Sequence, residues 1–225
     1  MTQKDIFFKQ KKLFNPEEKQ PLIVVYGAGS IGSHLVVGLA KSGFKNLLVV
    51  DYDIVEPDNL PAQSYPYSVV MSNKGLFKVD ALKDFVKGFT GLEIETENTK
   101  ITSEYLLTPE MDSIHICCFD NIEGRKTLFN KLKNYPVHYL DGRIGGFNIE
   151  KYYCDMLNQE QQQKYEETLQ GNFSELECGE KTLWGVNTLL SSKLLSDVIK
   201  ITKKDKPKMM MKANFNSDLI ISKED

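Results

Sequence analysis

A short apolar run that ends in three closely spaced glycines constrains the fold of this chain more than any other feature. Residues 22–26 read Leu-Ile-Val-Val-Tyr, and Gly27, Gly29 and Gly32 follow at once. A continuous apolar run of this length is typical of a parallel strand that is buried on both faces. Glycines directly after it allow a tight turn in which phosphate groups approach the backbone at the start of a helix. The pattern therefore predicts a strand, a nucleotide-binding turn and a helix.

The rest of the chain continues this alternation of apolar strands and amphipathic helices. The turn is followed by a helix and a second apolar strand, which together complete a βαβ unit. We therefore expect an α/β fold with an open, mostly parallel sheet and helices on both faces. The predicted strands cover 22–26, 46–51, 92–98, 113–120 and 136–145, with an edge strand in 209–225, and the predicted helices cover 30–42, 74–87, 122–135 and 183–201.

Composition divides the chain into a short arm and one domain. Residues 1–20 are rich in lysine and contain scattered phenylalanines, so they are predicted to be an N-terminal arm that docks on another surface. Residues 21–225 are expected to form a single nucleotide-binding domain, since this length suits one core. Within that domain, the polar, glutamine-rich region near 151–180 is predicted to be an excursion or a lid.

Charge and cysteine usage argue against several classes of protein. The net charge of -3 and the pI of about 5.7 do not indicate the basic face that binds nucleic acid. No apolar run approaches the roughly 20 residues of a membrane span, and no signal peptide is evident, so we expect a cytoplasmic protein. The cysteines form no C-x-x-C pair, so no structural zinc is expected. They are Cys117, Cys118, Cys154 and Cys178.

An acidic residue at the end of the second predicted strand extends the nucleotide signature. Asp51 follows the glycines at the distance, roughly 20 residues, at which an acid accepts hydrogen bonds from ribose hydroxyls. The glycine turn and Asp51 are equally compatible with an NAD(P)-dependent oxidoreductase. On these residues alone, both an ATP site and a dinucleotide site remain open.

The segment that follows Asp51 is more specific. Residues 51–63 read D-Y-D-I-V-E-P-D-N-L-P-A-Q and resemble the D-x-D-x-V-E-x-x-N-L-x-R-Q signature of the ThiF/MoeB/E1-like adenylyltransferases, which ordinary dehydrogenases lack. Residues 75–78, G-L-F-K, are similar to the G-x-x-K of that family. Asp-Asn at 120–121, followed by Arg125, resembles its D-N-x-x-x-R motif. The three motifs occur in the order of the family.

The resemblance implies a Rossmann-like fold and an activity. It implies an ATP-dependent adenylyltransferase that activates the C-terminal carboxylate of a ubiquitin-like or sulfur-carrier protein, with a Gly-Gly-type tail, as an acyl-adenylate. It further implies a homodimer, with ATP and Mg²⁺ as cofactors.

The resemblance also assigns roles to residues of the predicted site. It places the glycine turn beside the phosphates, Asp51 at the ribose, Asn59 and Gln63 along the triphosphate, Lys78 as a neutralising cation and Asp120 on the metal. The candidate catalytic residues are Lys78, Asp120 and Cys178, and the candidate cofactor-binding residues are Gly27, Gly29, Ser30, Gly32, Asp51, Asp53, Asn59, Gln63, Lys78 and Asn121.

Cys178 is the candidate for covalent chemistry. It lies in a polar segment just before a predicted helix, and the dipole of a helix N-terminus lowers the pKa of a thiol. Glu177 and Glu180 act in the opposite direction. A packing role, the commoner use of a free cysteine, remains the alternative.

Position 62 departs from the pattern of the family. Ala62 stands where the family has arginine, and the arm contains no arginine, since Arg125 and Arg143 are the only two in the chain. The arm's lysines at 9, 11 and 12 are possible substitutes, but as point charges without bidentate geometry. Arg125 itself is equally compatible with a structural ion pair. These departures favour an alternative, a weakened or inactive nucleotide-binding scaffold or heterodimer subunit.

The histidines and the single tryptophan are interpreted as structural residues. His34, His115 and His138 have no cysteine or aspartate at ligand spacing. Trp184 begins the last predicted helix and is expected to be part of the core.

Overall fold

The computed structural model describes residues 6–72, 75–170 and 183–223, which form an eight-stranded sheet flanked by helices. The strand order is β3-β2-β1-β4-β5-β6-β7-β8. The strands are β1 (Ile23–Tyr26), β2 (Leu47–Val50), β3 (Glu95–Glu97), β4 (Ile114–Cys117), β5 (His138–Gly145), β6 (Asn148–Asp155), β7 (Met210–Asn214) and β8 (Leu219–Lys223). The helices are α1 (Gly32–Ser42), α2 (Tyr67–Val70), α3 (Lys78–Thr90), α4 (Ile122–Leu132), α5 (Gln159–Glu167) and α6 (Trp184–Thr202).

The first five strands form a parallel half of the sheet. β1 pairs in parallel with both β2 and β4, β2 pairs with β3, and β4 pairs with β5. The chain therefore turns to one side of β1 for β2 and β3 and to the other side for β4 and β5. Ligands of open α/β sheets bind at such a switch point, outside the carboxyl ends of the strands. The switch point lies at the last residues of β1, β2 and β4, which are Tyr26, Val50 and Cys117.

The remaining strands form an antiparallel half, which differs from the expectation for region 151–180. Residues 151–155 lie inside the sheet as the second half of β6, and 159–167 form α5. Composition is misleading here because polar residues of this region are buried with partners: the Lys151 amino group lies 2.9 Å from Asp197 Oδ2, and neither side chain is exposed. Residues 171–182 lie outside the described ranges. The predicted edge strand in the tail is confirmed as β8.

The helices cover both faces of the sheet, as predicted. Ile23 and Val25 of β1 belong to one core with α1, α3 and α6, whereas Val24 and Tyr26 belong to a second core with α4 and α5. This alternation follows from the two-residue period of a strand. Across the described ranges, every helix is too short or too polar to traverse a lipid bilayer.

The described part of the N-terminal arm docks on its own chain at the far end of α1. Phe14 stacks on Phe44, with ring centroids 4.4 Å apart, and the Gln10 side chain donates to the Ser42 carbonyl at 2.6 Å. A helix of the length of α1 spans about 16 Å, so this contact lies at about that distance from the glycine turn. In this position, the lysines at 9, 11 and 12 are poorly placed to replace the missing arginine at the phosphate site of the same chain.

The position of Trp184 differs from the sequence prediction that this residue belongs to the core. Its side chain is 57% exposed at the start of α6, and its ring meets the His34 ring edge-on at 5.5 Å between centroids. The helix buries the face that carries Leu190, Leu194 and Val198, and Trp184 lies before that face begins. The histidines do have structural partners. For example, the buried His115 ring contacts the Tyr26 hydroxyl at 2.9 Å and Ser113 Oγ at 2.8 Å.

Candidate nucleotide-binding site

The glycine turn after β1 is shaped by close backbone contacts. Gly27 has a φ of +99°, and a Cβ atom at this position would lie 2.9 Å from the Cys118 carbonyl oxygen. A Cβ atom at Gly32 would lie 1.8 Å from the Gly27 carbonyl oxygen. At Gly29, by contrast, a Cβ atom would meet no described heavy atom within 4 Å. Two glycines therefore allow the turn to close, and the third leaves space where a ligand can approach, beside the partly exposed Ser30.

This difference predicts that alanine substitutions at Gly32 and Gly29 affect different properties, stability in the first case and ATP binding in the second. Gly32→Ala is expected to lower the free energy of unfolding by about 3 kcal/mol, because the new methyl group collides with backbone. Gly29→Ala is expected to change it by less than about 1 kcal/mol and to weaken ATP binding instead. Urea unfolding and calorimetric ATP titration of both variants test this. Equal destabilisation by the two changes would contradict the assignment.

Asp51 connects the glycine turn to the loop after β2. Its Oδ2 accepts the Ala28 N–H at 2.5 Å and its Oδ1 accepts the Asp53 N–H at 2.8 Å. Burial raises the pKa of Asp51, while these two N–H groups and the charge of Lys78 oppose the rise. Each carboxylate oxygen has a further lone pair, so the ribose contact predicted for Asp51 is compatible with these bonds.

Lys78 is the first residue of α3 and lies close to the same loop. Its side chain is 10% exposed, and its Nζ is 3.1 Å from Asp53 Oδ2. Its backbone N–H also donates to the Asp53 carbonyl at 2.8 Å. A cation at the N-terminus of a helix is opposed by the helix dipole, which favours anions there. An amino group at this position is therefore better suited to binding an anion than to a purely structural role.

The end of β4 carries two exposed polar residues. Asn121 is the N-cap of α4, because its Oδ1 accepts the Gly124 N–H at 2.7 Å, and its Nδ2 donates to Asp120 Oδ1 at 3.3 Å. Asp120 is exposed. The pKa of Tyr52 is raised by burial and by the charges of Asp53, Asp51 and Asp120, in that order. The acids at the ends of β2 and β4 are thus close enough to act on one hydroxyl group.

The loop residues predicted to line the triphosphate have different surroundings. Asn59 caps its own short turn, where its Oδ1 accepts the Glu56 N–H at 3.0 Å and its Nδ2 donates to Asp58 at 2.9 Å. Gln63 has a buried Oε1 with no hydrogen-bond partner among the described residues. A role for Asn59 at phosphate remains a prediction, whereas Gln63 has an amide atom available for a ligand.

The sequence did not predict the buried carboxylate that forms ion pairs with both arginines of the chain. Asp141 on β5 is fully buried; it forms an ion pair with Arg125 and accepts from Arg143 Nε at 2.6 Å. Arg125 also donates to the Phe119 carbonyl, and the Tyr165 hydroxyl donates to Asp141 at 2.9 Å. The only sequence signal is the Asp-Gly-Arg run inside a predicted strand. The sequence left two interpretations of Arg125 open, and the structure shows the structural ion pair.

The cysteines of the described ranges are all buried. Burial raises the pKa of the Cys117 thiol to about 11 and that of the Cys118 thiol well above its usual value. Cys154 on β6 is fully buried as well. The Cys117 and Cys118 thiols are therefore protonated at neutral pH and are poor nucleophiles. Cys178, the candidate for covalent chemistry, lies outside the described residues.

A magnesium ion at Asp120 would also need oxygen ligands from water and from the phosphates of a bound substrate. Within 6–72, 75–170 and 183–223, no three His, Cys, Asp or Glu side chains are grouped as metal ligands. Mg²⁺ is usually held by one or two carboxylates together with water and substrate phosphates, rather than by an all-protein cage. An exposed carboxylate such as that of Asp120 fits this donor set.

Comparison with known proteins settles the family. The profile of the ThiF family matches residues 9–219. This chain belongs to the ThiF family. The NEDD8-activating enzyme E1 catalytic subunit of Caenorhabditis elegans is 30% identical over 122 residues, which cover 54% of this chain and 28% of that protein. Adenylyltransferase and sulfurtransferase MOCS3 of Culex quinquefasciatus is 33% identical over 112 residues, 49% of this chain and 25% of that protein.

Solved structures show the same fold over nearly the whole of this ThiF-family chain. Escherichia coli MccB with succinimide has a TM-score of 0.74 at 18% identity and covers 100% of this chain and 72% of its own. MccB with ATP has a TM-score of 0.65 at 21% identity, covering 96% and 65%. PaaA has a TM-score of 0.70 at 18% identity, covering 97% and 75%. The chain spans about a quarter of the length of the curated relatives that it matches.

Proposed function

We propose that this ThiF-family chain is an ATP-dependent adenylyltransferase that activates the C-terminal carboxylate of a small carrier protein. The observation that carries the proposal is the position of Lys78 at the start of α3. Its amino group pairs with Asp53, and the Tyr65 hydroxyl lies within hydrogen-bonding distance of both the Lys78 carbonyl and the Ala28 carbonyl of the glycine turn. An NAD(P)-dependent oxidoreductase would account for the turn and Asp51. It would leave Lys78 and the residues from 53 to 63 without a role.

Several features of the site fit ATP. The glycines leave the backbone accessible. The first N–H groups of a helix have no partners within the helix and can bind phosphate oxygens, although that of Ser33 in α1 already donates to the Gly29 carbonyl at 3.0 Å. The buried amide oxygen of Gln63 has no hydrogen-bond partner within the part of the chain that the structure describes, so a ligand can satisfy it. Asp120 would hold Mg²⁺, which supplies charge neutralisation at the phosphates when it is bound.

The chemistry requires positioning and charge neutralisation rather than a protein nucleophile. A carboxylate oxygen of the carrier tail would attack the α-phosphorus of ATP, and the bond from that phosphorus to the bridging oxygen would break, releasing pyrophosphate. Lys78 and the N–H groups of the turn would stabilise the charge on the phosphate oxygens. The acyl-adenylate formed in this way reacts readily with a sulfur or nitrogen nucleophile.

A ubiquitin-like or sulfur-carrier protein with a Gly-Gly-type tail is the proposed partner. The names of two relatives, a NEDD8-activating enzyme and an adenylyltransferase and sulfurtransferase, support this class of substrate for this chain. MccB, whose structure has been solved with the peptide MccA, supports a carboxylate of a peptide as an alternative. We also propose a homodimer, because a second subunit is one source of the positive charge that this chain lacks at its phosphates.

A second candidate function rests on the arginines. Both are buried against Asp141, position 62 is alanine, and the arm lies at the opposite end of α1 from the turn. These observations favour a nucleotide-binding scaffold, or one subunit of a heterodimer whose partner supplies the arginine.

Carrier-dependent ATP–pyrophosphate exchange tests the two candidates. With carriers that end in Gly-Gly, we expect exchange by the wild-type protein and a loss of about 100-fold or more in Asp120→Ala, because the loss of one charge-stabilising group costs about that much. Asp205→Ala, an exposed carboxylate after α6, is the matched control and should retain full exchange. ATP binding without exchange for any carrier would support the scaffold instead.

A further inference from the structure

One backbone carbonyl in the loop between β2 and α3 is held by two helices. The Ala62 oxygen accepts a hydrogen bond from His34 Nε2 of α1 at 3.1 Å and from Asn187 Nδ2 of α6 at 2.8 Å. A carbonyl can only accept, so Nε2 of His34 carries the proton. Nδ1 then accepts from the Ser64 hydroxyl, which lies 2.5 Å away. We call His34 and Asn187 the clamp residues.

The residues that follow Ala62 are held to the start of α1 and to the glycine turn. The Ser64 N–H donates to Ser33 Oγ at 3.0 Å, and the Tyr65 hydroxyl donates to the Ala28 carbonyl at 2.7 Å. Segment 62–65 is thus attached to α1, to α6 and to the turn. It has the contacts of a fixed structural element, although it contains no helix or strand.

Gln63 is the exception within this segment. Its backbone N–H donates to the Asn59 carbonyl at 2.9 Å, but its buried Oε1 has no partner among the described residues. A buried amide atom without a partner is costly unless a ligand satisfies it. The amide can turn by 180°, so it can present either its oxygen or its NH₂ group, and the latter donates to phosphate oxygens.

We propose that His34 and Asn187 are positioning residues, which hold the 62–65 backbone so that Gln63 is preorganised to contact the phosphates of ATP. The inference rests on the proposed function, since it takes the ligand to be ATP. It also gives position 62 a role that depends on its backbone carbonyl and not on a side chain. Preorganisation strengthens binding because the segment loses little freedom when the ligand arrives.

The experiment measures ATP affinity in the absence of any carrier, by calorimetry and by the fluorescence of Trp184. Trp184 is the only tryptophan of the chain and contacts the His34 ring, so its emission reports on this place. We expect His34→Ala and Asn187→Ala each to raise the Kd for ATP by about three- to tenfold, the value of one hydrogen bond. The far-UV spectrum and the thermal unfolding curve verify that each variant is folded.

Two further variants separate positioning from general stability. His34→Gln keeps a donor for the Ala62 carbonyl and should restore most of the affinity. Thr202→Ala removes the hydrogen bond of a side chain at the other end of α6 and should leave the Kd unchanged. In pyrophosphate exchange, the clamp variants should raise the KM for ATP with little change in kcat.

The outcomes for the clamp and for the proposed function are distinct. If wild-type protein binds ATP and folded His34→Ala and Asn187→Ala bind it equally well, the clamp proposal is overturned while adenylylation stands. If all clamp variants and the Thr202→Ala control weaken binding alike, the effect is one of stability and the clamp proposal is likewise overturned. If the wild-type protein binds no ATP, the proposed function fails and the clamp proposal fails with it.

Discussion

Replacement of Lys78 by methionine is expected to reduce carrier-dependent ATP–pyrophosphate exchange by about 100- to 1000-fold. The amino group pairs with Asp53 at 3.1 Å, and its charge opposes the rise that burial causes in the pKa of Asp51, whereas both arginines of the chain contact Asp141. Removal of one group that stabilises developing charge in an enclosed site costs about this much. Methionine keeps the length of the side chain, so the packing of α3 is preserved.

The measurement is initial-rate exchange at saturating ATP and carrier. Lys83→Met, an exposed lysine on the same helix, is the matched control and should retain full activity. Lys78→Arg keeps the charge but changes its geometry, and it should retain more activity than methionine. The stability of Lys78→Met should differ from wild type by less than about 1 kcal/mol, since the Asp53 side chain is 48% exposed. Full exchange by Lys78→Met would remove Lys78 from the mechanism.

The second large effect is expected for Asp141→Asn, which should lower the free energy of unfolding by about 3–5 kcal/mol. Asparagine has nearly the same shape as aspartate but carries no charge, so Arg125 and Arg143 would remain buried without a counter-ion. Removal of one partner from a buried ion pair has about this cost. The Tyr165 hydroxyl, which donates to the same carboxylate, would lose its charged acceptor.

Urea unfolding at neutral pH measures the change. Glu160→Gln is the control: it removes one charge of a surface pair with Lys164 and should cost less than about 0.5 kcal/mol. Combining Asp141→Asn with Arg143→Met should cost less than the sum of the two single changes, because the double variant leaves one fewer unpaired charge. Additive costs, or a loss below about 1 kcal/mol for Asp141→Asn, would show that the arginines do not depend on this carboxylate.

The parallel half of the fold and the placement of most candidate site residues at the strand ends were predictable from local sequence. A buried strand, a glycine turn and the helix after it are encoded within about 20 neighbouring residues, and the turn, Asp51 and Asp120 therefore lie where the motif order predicts. The strands and helices of this half are found within a few residues of the predicted positions. For example, the helix predicted over 122–135 is observed as Ile122–Leu132.

The antiparallel half was less predictable because its burial depends on long-range partners. Lys151 sits in the middle of β6 without exposure because Asp197, forty-six residues later in sequence (197 − 151), supplies its counter-ion. Burial lowers the pKa of Lys151, and the charge of Asp197 opposes that shift. A polarity pattern treats such a lysine as a surface residue. For the same reason, composition assigned residues 151–155 to an excursion.

By itself, the sequence of this protein determined the strand–turn–helix unit, the order of the motifs and the family. Each of these depends on residues that are neighbours in the chain, where backbone geometry and apolar periodicity act directly. Only the tertiary structure decided how the charges are used. It placed both arginines on Asp141, the arm at the far end of α1, and His34 and Asn187 on one carbonyl, since such pairings depend on distances between elements that are remote in sequence.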